Sequence, residues 1–378
     1  MKYDIVIAGG SIAGLLCARE IAQRGFSVVV IEEDYEIGTP EHCGGLVSLM
    51  ALQELGAIPL AKTFDHVIES ATIYAPNGNN FTINSKKQKV VEISRRELDK
   101  QIAHQAQKNG AKIKVRTSFQ GITDTGIRTK EENIDCKLFV DAKGVSSLIQ
   151  KDRTGVILSA QYEVYANWIK KGKVEVYFNH EKYPGFFAWV IPSGEGKGKV
   201  GAAGRGINSA EALERFLEEK GEYSTIRKIF APIWIKGPVD RFIDGKKIIV
   251  GDAAGQAKPT TAGGIYSSGI GGILAGKAIC KFLESGNESD LEEYQSKWLE
   301  KFGKEFEHQV FARKILERLD NKTINKLFES VTPEILEEIS EKDDFNFHTG
   351  SIVKLLGLKR SLKTAQALLG NEIKKILG

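Results

Sequence analysis

The sequence predicts an α/β chain in three parts. These are a nucleotide-binding unit on parallel strands, an antiparallel sheet that interrupts it, and a helical C-terminal region. Three observations carry this reading. A strand, a glycine-rich turn, a helix and a second strand fill residues 2–31. Nine of the chain's 32 aromatic residues fall within positions 161–190, in a stretch that alternates like antiparallel strands. After about residue 285 the pattern turns helical and charged. With 378 residues and 42% hydrophobic content the chain can bury a large core. Its 53 Lys+Arg against 49 Asp+Glu give a net charge of +4, too small an excess for a dedicated nucleic-acid binder. No apolar run reaches the roughly 18 residues of a membrane span, and Ile5–Ala18 is broken by glycines. The four cysteines contain no CxxC, and neither HExxH nor a Walker loop occurs, so no metal site is expected. The expectation is a cytoplasmic, globular protein.

Lys2–Ala8 reads as a buried strand, Gly9-Gly10-Ser11-Ile12-Ala13-Gly14 as a tight turn, and Ser11–Arg24 as a helix closed by Gly25 at a left-handed position. Phe26–Ile31 is a second apolar strand running into Glu32. This is a Rossmann-like opening. Glycines let backbone amides approach a pyrophosphate, the helix N-terminus carries partial positive charge, and the acid accepts ribose hydroxyls. The pattern departs from GxGxxG by Ser11 in the middle position, giving Gly9-x-Ser11-x-x-Gly14. A mere strand-to-helix turn in an α/β core would leave Glu32 unexplained.

Further along, Ser94-x-x-Glu97 opens a helix at 95–109, and Ala111–Val115 reads as a strand. Leu138–Asp141 is a strand followed by a turn through Gly144 to Ser147. Lys246–Val250 is another strand, ending in Gly251-Asp252-Ala253-Ala254-Gly255, then Pro259 and Gly263-Gly264-Ile265. An acid at a strand's C-terminal end, before a glycine-rich helix start, suits ribityl hydroxyls and pyrophosphate. The three ordered motifs, GxSxxG, DxxGxxS and GDAAG…P…GGI, resemble those of flavoproteins with the p-hydroxybenzoate hydroxylase fold, over residues 1 to about 285. The resemblance implies FAD in the N-terminal site. It places Ala13 at the pyrophosphate, Glu32 at the adenosine ribose, Asp252 at the ribityl–pyrophosphate region, and Gly264 and Ile265 at the isoalloxazine. It also directs Arg95, rather than Arg96, to the phosphates and the Phe119 backbone to the adenine.

Residues 39–48, Thr-Pro-Glu-His-Cys-Gly-Gly-Leu-Val-Ser, resemble the Cys-Gly-x-x-x-Ser loop of geranylgeranyl reductases. That likeness implies that Cys43 and Gly44 touch FAD and that the Cys43 thiol donates a proton or shapes the pocket. A free cysteine is otherwise often a small buried apolar group. Pro184–Pro192 resembles the PxxYxWxFP motif of the same family, with Phe187 replacing its tyrosine and Ile191 its phenylalanine. It also approaches the WxWxIP signature of flavin halogenases, without a lysine motif to support halogenation. The aromatic sheet is expected to pack its own core and to form an apolar cavity over the flavin, with Tyr177, Phe187, Trp189 and Pro192 contacting substrate.

Towards the C-terminus, Leu291–Phe306 reads as one helix and Thr332-Pro333 opens another. Residues 351–378 hold six Lys/Arg against the single acid Glu372, interleaved with leucines and isoleucines. Such a segment can lie on an anionic membrane or pack as a terminal helix with a solvated basic face. The expected division is 1–65, 91–155 and 237–285 for the FAD-binding domain, 66–90 and 156–236 for the β-sheet substrate domain, and 286–378 for the helical domain. The resemblance implies an FAD-dependent reductase of C=C bonds in geranylgeranyl chains of membrane lipids or their precursors, with NAD(P)H or ferredoxin as electron donor. An FAD monooxygenase acting on an aromatic or apolar substrate shares the three motifs. A non-catalytic flavin-containing assembly subunit, using the glycine-rich helix at Ser267–Gly276 as an interface, is the reading from another class.

Overall fold

The computed structural model describes residues 2–149, 151–342 and 344–347. Its first sheet has eight strands. Lys2–Ala8 lies parallel between Val28–Ile31 and Asn133–Asp141, and Lys247–Ile249 adds a further parallel strand on the far side of Asn133–Asp141. Ile243–Asp244 closes that edge in the antiparallel sense. Lys112–Lys114 continues the parallel set beyond Val28–Ile31, and the hairpin Phe119–Ile122/Gly126–Thr129 pairs onto Asn133–Asp141. In register, Ala8 stands opposite both Ile31 and Asp141, and Asp141 opposite Ile249. Four parallel strands therefore end at one level, and the segments beginning at Gly9, Glu32, Ala142 and Val250 leave the sheet side by side. Ligand crevices of open parallel sheets form at such an edge. All four residues of Val28–Ile31 are buried, as expected for a parallel strand covered on both faces.

The helix Ile12–Gln23 packs against Ile265–Ser285 at close range. An added Cβ on Gly272 would lie 2.2 Å from the Ala13 carbonyl oxygen, and one on Gly276 would lie 2.7 Å from the Glu20 Cβ. The glycine-rich face expected as a protein interface is therefore spent inside the molecule, against the first helix. Helix Arg95–Lys108 begins as the sequence predicts, with the Ser94 hydroxyl accepting from the Glu97 amide at 3.3 Å. The reciprocal half of the capping box is replaced by other pairings. The Ser94 amide donates to the Thr63 carbonyl, and Glu97 pairs with Lys62 and Lys100.

The second sheet has seven strands in the order Ser224–Trp234, Val156–Tyr165, Lys197–Gly204, Ala188–Gly194, Lys173–Tyr177, Ser70–Tyr74 and Asn80–Asn84. It is antiparallel except that Lys173–Tyr177 runs parallel to Ser70–Tyr74. A third sheet, of strands Leu46–Ser48, Val90–Ile93 and Phe64–Ile68, packs between the other two. The helix Ser289–Leu316 runs past Phe306, the end that the sequence pattern predicts, because Phe311 and Ile315 continue its buried stripe. Asn321–Glu329 and Pro333–Lys342 follow. The basic segment 351–378 lies outside the described residues. Among the described residues, no helix is long and apolar enough to cross a membrane.

Candidate functional site

A cavity of about 1200 Å³ runs from the ends of the parallel strands to the inner face of the seven-stranded sheet. At the strand ends its wall is polar. Gly9 has φ +112°, and a Cβ there would sit 2.2 Å from the Ala142 carbonyl oxygen, so only glycine fits the turn. The Gly10 amide donates to Glu32 Oε2 at 2.6 Å, and the Asp34 amide to Oε1 at 3.1 Å, which holds the carboxylate over the turn. Ala13 lines the cavity, whereas Gly14 lies behind it. A Cβ on Gly14 would approach the Gly9 carbonyl oxygen to 2.1 Å, so its role is packing.

Ser11 departs from the glycine pattern for a visible reason. Its hydroxyl accepts from Arg95 Nη2 at 3.1 Å and contacts Asp99 Oδ2 at 3.4 Å, tying the turn to the helix Arg95–Lys108. Arg95 Nη2 also reaches both Asp99 oxygens, at 3.0 and 3.1 Å. Burial opposes the Arg95 charge, yet Asp99 and Cys43 raise its pKa above the ordinary value. Its buried Nε has no partner among the described residues. Arg96 turns instead to Glu36, at 2.7 Å. Phe119 stacks on Phe139 with ring centres 4.8 Å apart and lines the cavity. Asp252 accepts from the Ser268 hydroxyl at 3.1 Å, and burial raises its pKa against the pull of Ser268 and Arg95. A Cβ on Gly264 would meet Asp252 Oδ1 and Ser268 Oγ, each at 3.1 Å, just before Ile265 begins its helix. An unused guanidinium donor, a glycine cradle and a helix start together fit a dinucleotide pyrophosphate.

The loop with Cys43 crosses the middle of the cavity. Cys43 Sγ accepts weakly from the Gly45 amide at 3.4 Å, and Gly44 abuts Ile191, where a Cβ would come within 2.5 Å of Cδ1. Gln161 joins loop to sheet: its Nε2 donates to the His42 carbonyl at 3.4 Å, and its Oε1 accepts from Trp189 Nε1 at 3.1 Å. Burial lowers the His42 pKa, with Asp34 opposing. Glu41 lines the cavity and accepts from the Arg95 amide at 3.1 Å and from Lys199 Nζ at 2.8 Å. Sequence reasoning missed Gln161, Lys199 and Glu92. Their one local signal is a polar residue at an inward phase of an alternating strand.

Beyond the loop the wall is apolar. Val174, Val176, Phe187, Trp189 and Ile191 line it, with Phe186 stacked on Phe187 at 4.2 Å between ring centres. Two expected substrate contacts are elsewhere. Tyr177 is out of phase with Val174 and Val176, so it points to the opposite face, where it packs edge-on against Phe216 at 4.9 Å. Pro192 follows the phase of Ala188 and Val190 and is likewise turned from the cavity. Ile324 and Phe328, from the helix Asn321–Glu329, line the cavity as well.

Residues 4–165 match the family described as lycopene cyclase protein. The chain is 31% identical to digeranylgeranylglycerophospholipid reductase 2 of Methanothermobacter thermautotrophicus, over 90% of this chain and 94% of that protein. Its fold matches a geranylgeranyl bacteriochlorophyll reductase-like protein of Thermoplasma acidophilum, with a TM-score of 0.86, 22% identity and 99% of each chain covered. It also matches PqsL, a probable FAD-dependent monooxygenase of Pseudomonas aeruginosa, with a TM-score of 0.66 and 15% identity over 87% of this chain and 100% of that one. The fold is thus that of the p-hydroxybenzoate hydroxylase-type flavoproteins. By its likeness to the reductase over nearly its whole length, the chain belongs to the digeranylgeranylglycerophospholipid reductase family.

Proposed function

We propose that the protein is an FAD-dependent reductase that saturates C=C bonds in the geranylgeranyl chains of membrane lipids or their precursors. The observation that carries this reading is one continuous cavity. Its polar end suits a dinucleotide, and its other end is lined by Val174, Val176, Phe187 and Trp189. An extended hydrocarbon can follow such a wall without leaving a buried polar group unpaired. Arg95, the Gly9–Gly10 turn and the start of the helix at Ile265 would hold the FAD, and Glu32 would take the adenosine ribose. When bound and reduced, the flavin supplies a hydride equivalent. The chain's own residues do the rest. The aromatic wall orients the hydrocarbon and excludes water, and Gln161 fixes the loop of Cys43 against Trp189. An isolated alkene accepts hydride poorly, so a proton must be delivered in a dry site. Phe187, in place of the family's tyrosine, offers no hydroxyl for this.

The test is to load the protein with FAD, reduce it with dithionite and add digeranylgeranylglyceryl phospholipid. The expected product gains one H₂ per saturated bond by mass spectrometry. An unchanged lipid, or oxygen uptake with a hydroxylated product from NADPH, would overturn the reading, the latter in favour of a monooxygenase. NAD(P)H and ferredoxin are the candidate electron donors, compared by the same assay. Flotation with anionic vesicles, for the full chain and for a chain ending at 347, tests membrane contact by the basic segment.

A further inference from the structure

Three ionisable side chains, Glu41, Glu92 and Lys199, are buried together behind the Cys43 loop. Lys199 Nζ donates to Glu41 Oε1 at 2.8 Å and to Glu92 Oε1 at 2.9 Å. The side chains of Lys199, Glu41 and Glu92 are 8%, 6% and 0% exposed. One ammonium between two carboxylates leaves an excess negative charge in a low-dielectric interior, which favours retention of a proton on one carboxyl. The hydrogen bonds identify which. Among the described residues, Glu41 accepts from Lys199 and from the Arg95 amide, whereas Glu92 Oε2 accepts from no donor and Oε1 accepts only from Lys199 and, at 3.3 Å, from Ser193.

The three groups also stand in order between solvent and the cavity. Asp65 is exposed beside Glu92, Lys199 is in the middle, and Glu41 lines the cavity two residues before Cys43. We propose that Glu92, Lys199 and Glu41 form a proton relay from the surface to the cavity wall, with Glu41 delivering the proton that completes C=C reduction. The inference rests on the reductase reading above. The steps balance. Lys199 gives an N–H proton to the Glu41 carboxylate and recovers one from the Glu92 carboxyl. The alkene π bond breaks as one carbon receives hydride from reduced flavin and the other receives the Glu41 proton. The alkene is reduced and the flavin oxidised by two electrons, and Glu92 regains its proton from solvent past Asp65. Glu92 and Lys199 are positioning residues that act through Glu41.

Burial raises the Glu92 pKa to about 8, with Lys199 lowering it and Asp65 raising it further. Burial opposes the Lys199 charge, but Glu92 and Glu41 hold its pKa above the ordinary value. Other charged or titratable groups nearby are Arg95, whose backbone amide donates to the Glu41 carboxylate, Asp99, whose charge acts on Glu41, and His66, opposite Glu92 in the small sheet. Burial and Lys171 lower the His66 pKa, with Asp65 opposing.

The experiment compares FAD-loaded, dithionite-reduced wild type with Glu92→Gln, Glu92→Asp and Glu41→Gln on digeranylgeranylglyceryl phospholipid across pH. Wild-type turnover should fall as pH rises through about 8. Glu92→Gln should lose that limb and about 10²-fold in rate, Glu92→Asp should restore a displaced limb, and Glu41→Gln should lose at least as much rate. A structural role alone would lower the rate without moving the limb. In the flavin-free protein, infrared spectroscopy should show a carboxylic-acid carbonyl band that disappears over the same pH range and is missing in Glu92→Gln. An active wild type whose pH limb survives in Glu92→Gln overturns the relay and leaves the reductase reading standing. A wild type inert on the lipid overturns both.

Discussion

Arg95, which lines the cavity with a buried Nε that has no partner among the described residues, is a residue-level mark of an anion site, since an unpaired buried guanidinium donor is costly. Arg95→Ala should weaken FAD binding about 10- to 100-fold by calorimetry, and Arg95→Lys should recover only part of it, because an ammonium lacks the planar fork. Glu92 makes a separate prediction about stability. Its folded pKa of about 8 lies above the ordinary 4.5, so between those values the folded chain holds a proton that the unfolded chain has released. Its contribution is fully present below about pH 4.5 and is lost as pH rises through about 8. In urea unfolding, wild type should therefore lose stability relative to Glu92→Gln between acidic and alkaline pH. The glycine turn and Glu32 were legible in the sequence because each is demanded by local backbone geometry. The relay was not, because Glu41 and Lys199 are 158 positions apart and meet only in the fold.

At the scale of elements, the contact between Ile12–Gln23 and Ile265–Ser285 sets the position of Ala13. Gly272→Ala would place a methyl against the Ala13 carbonyl and should destabilise the protein by about 1–3 kcal/mol in denaturant unfolding, with weaker FAD binding. Helices were readable where caps and apolar spacing coincide, as at Ser94 and Thr332-Pro333. Periodicity revealed the strands but not their partners, so the parallel pairing of Lys173–Tyr177 with Ser70–Tyr74 stayed hidden. The same strand shows why Tyr177 was misplaced: aromatic content was legible, but its phase relative to the cavity was not.

Across the whole molecule, the cavity joins three regions of chain that lie far apart in sequence. Leu327, from the C-terminal helices, forms part of its wall. Leu327→Trp should shorten the hydrocarbon that fits, so geranylgeranyl turnover falls roughly tenfold while a shorter prenyl chain is spared, as rates on chains of graded length would reveal. The cavity also has an optical consequence. Trp189 and Trp234 face it, while Trp298 is buried among Phe302 and Phe306 in the helical region. Indole emission overlaps flavin absorption, so a filled site should quench the two cavity-facing indoles. Trp189, held by Gln161 to the loop that crosses the cavity, thereby gives the protein a built-in gauge of its own occupancy.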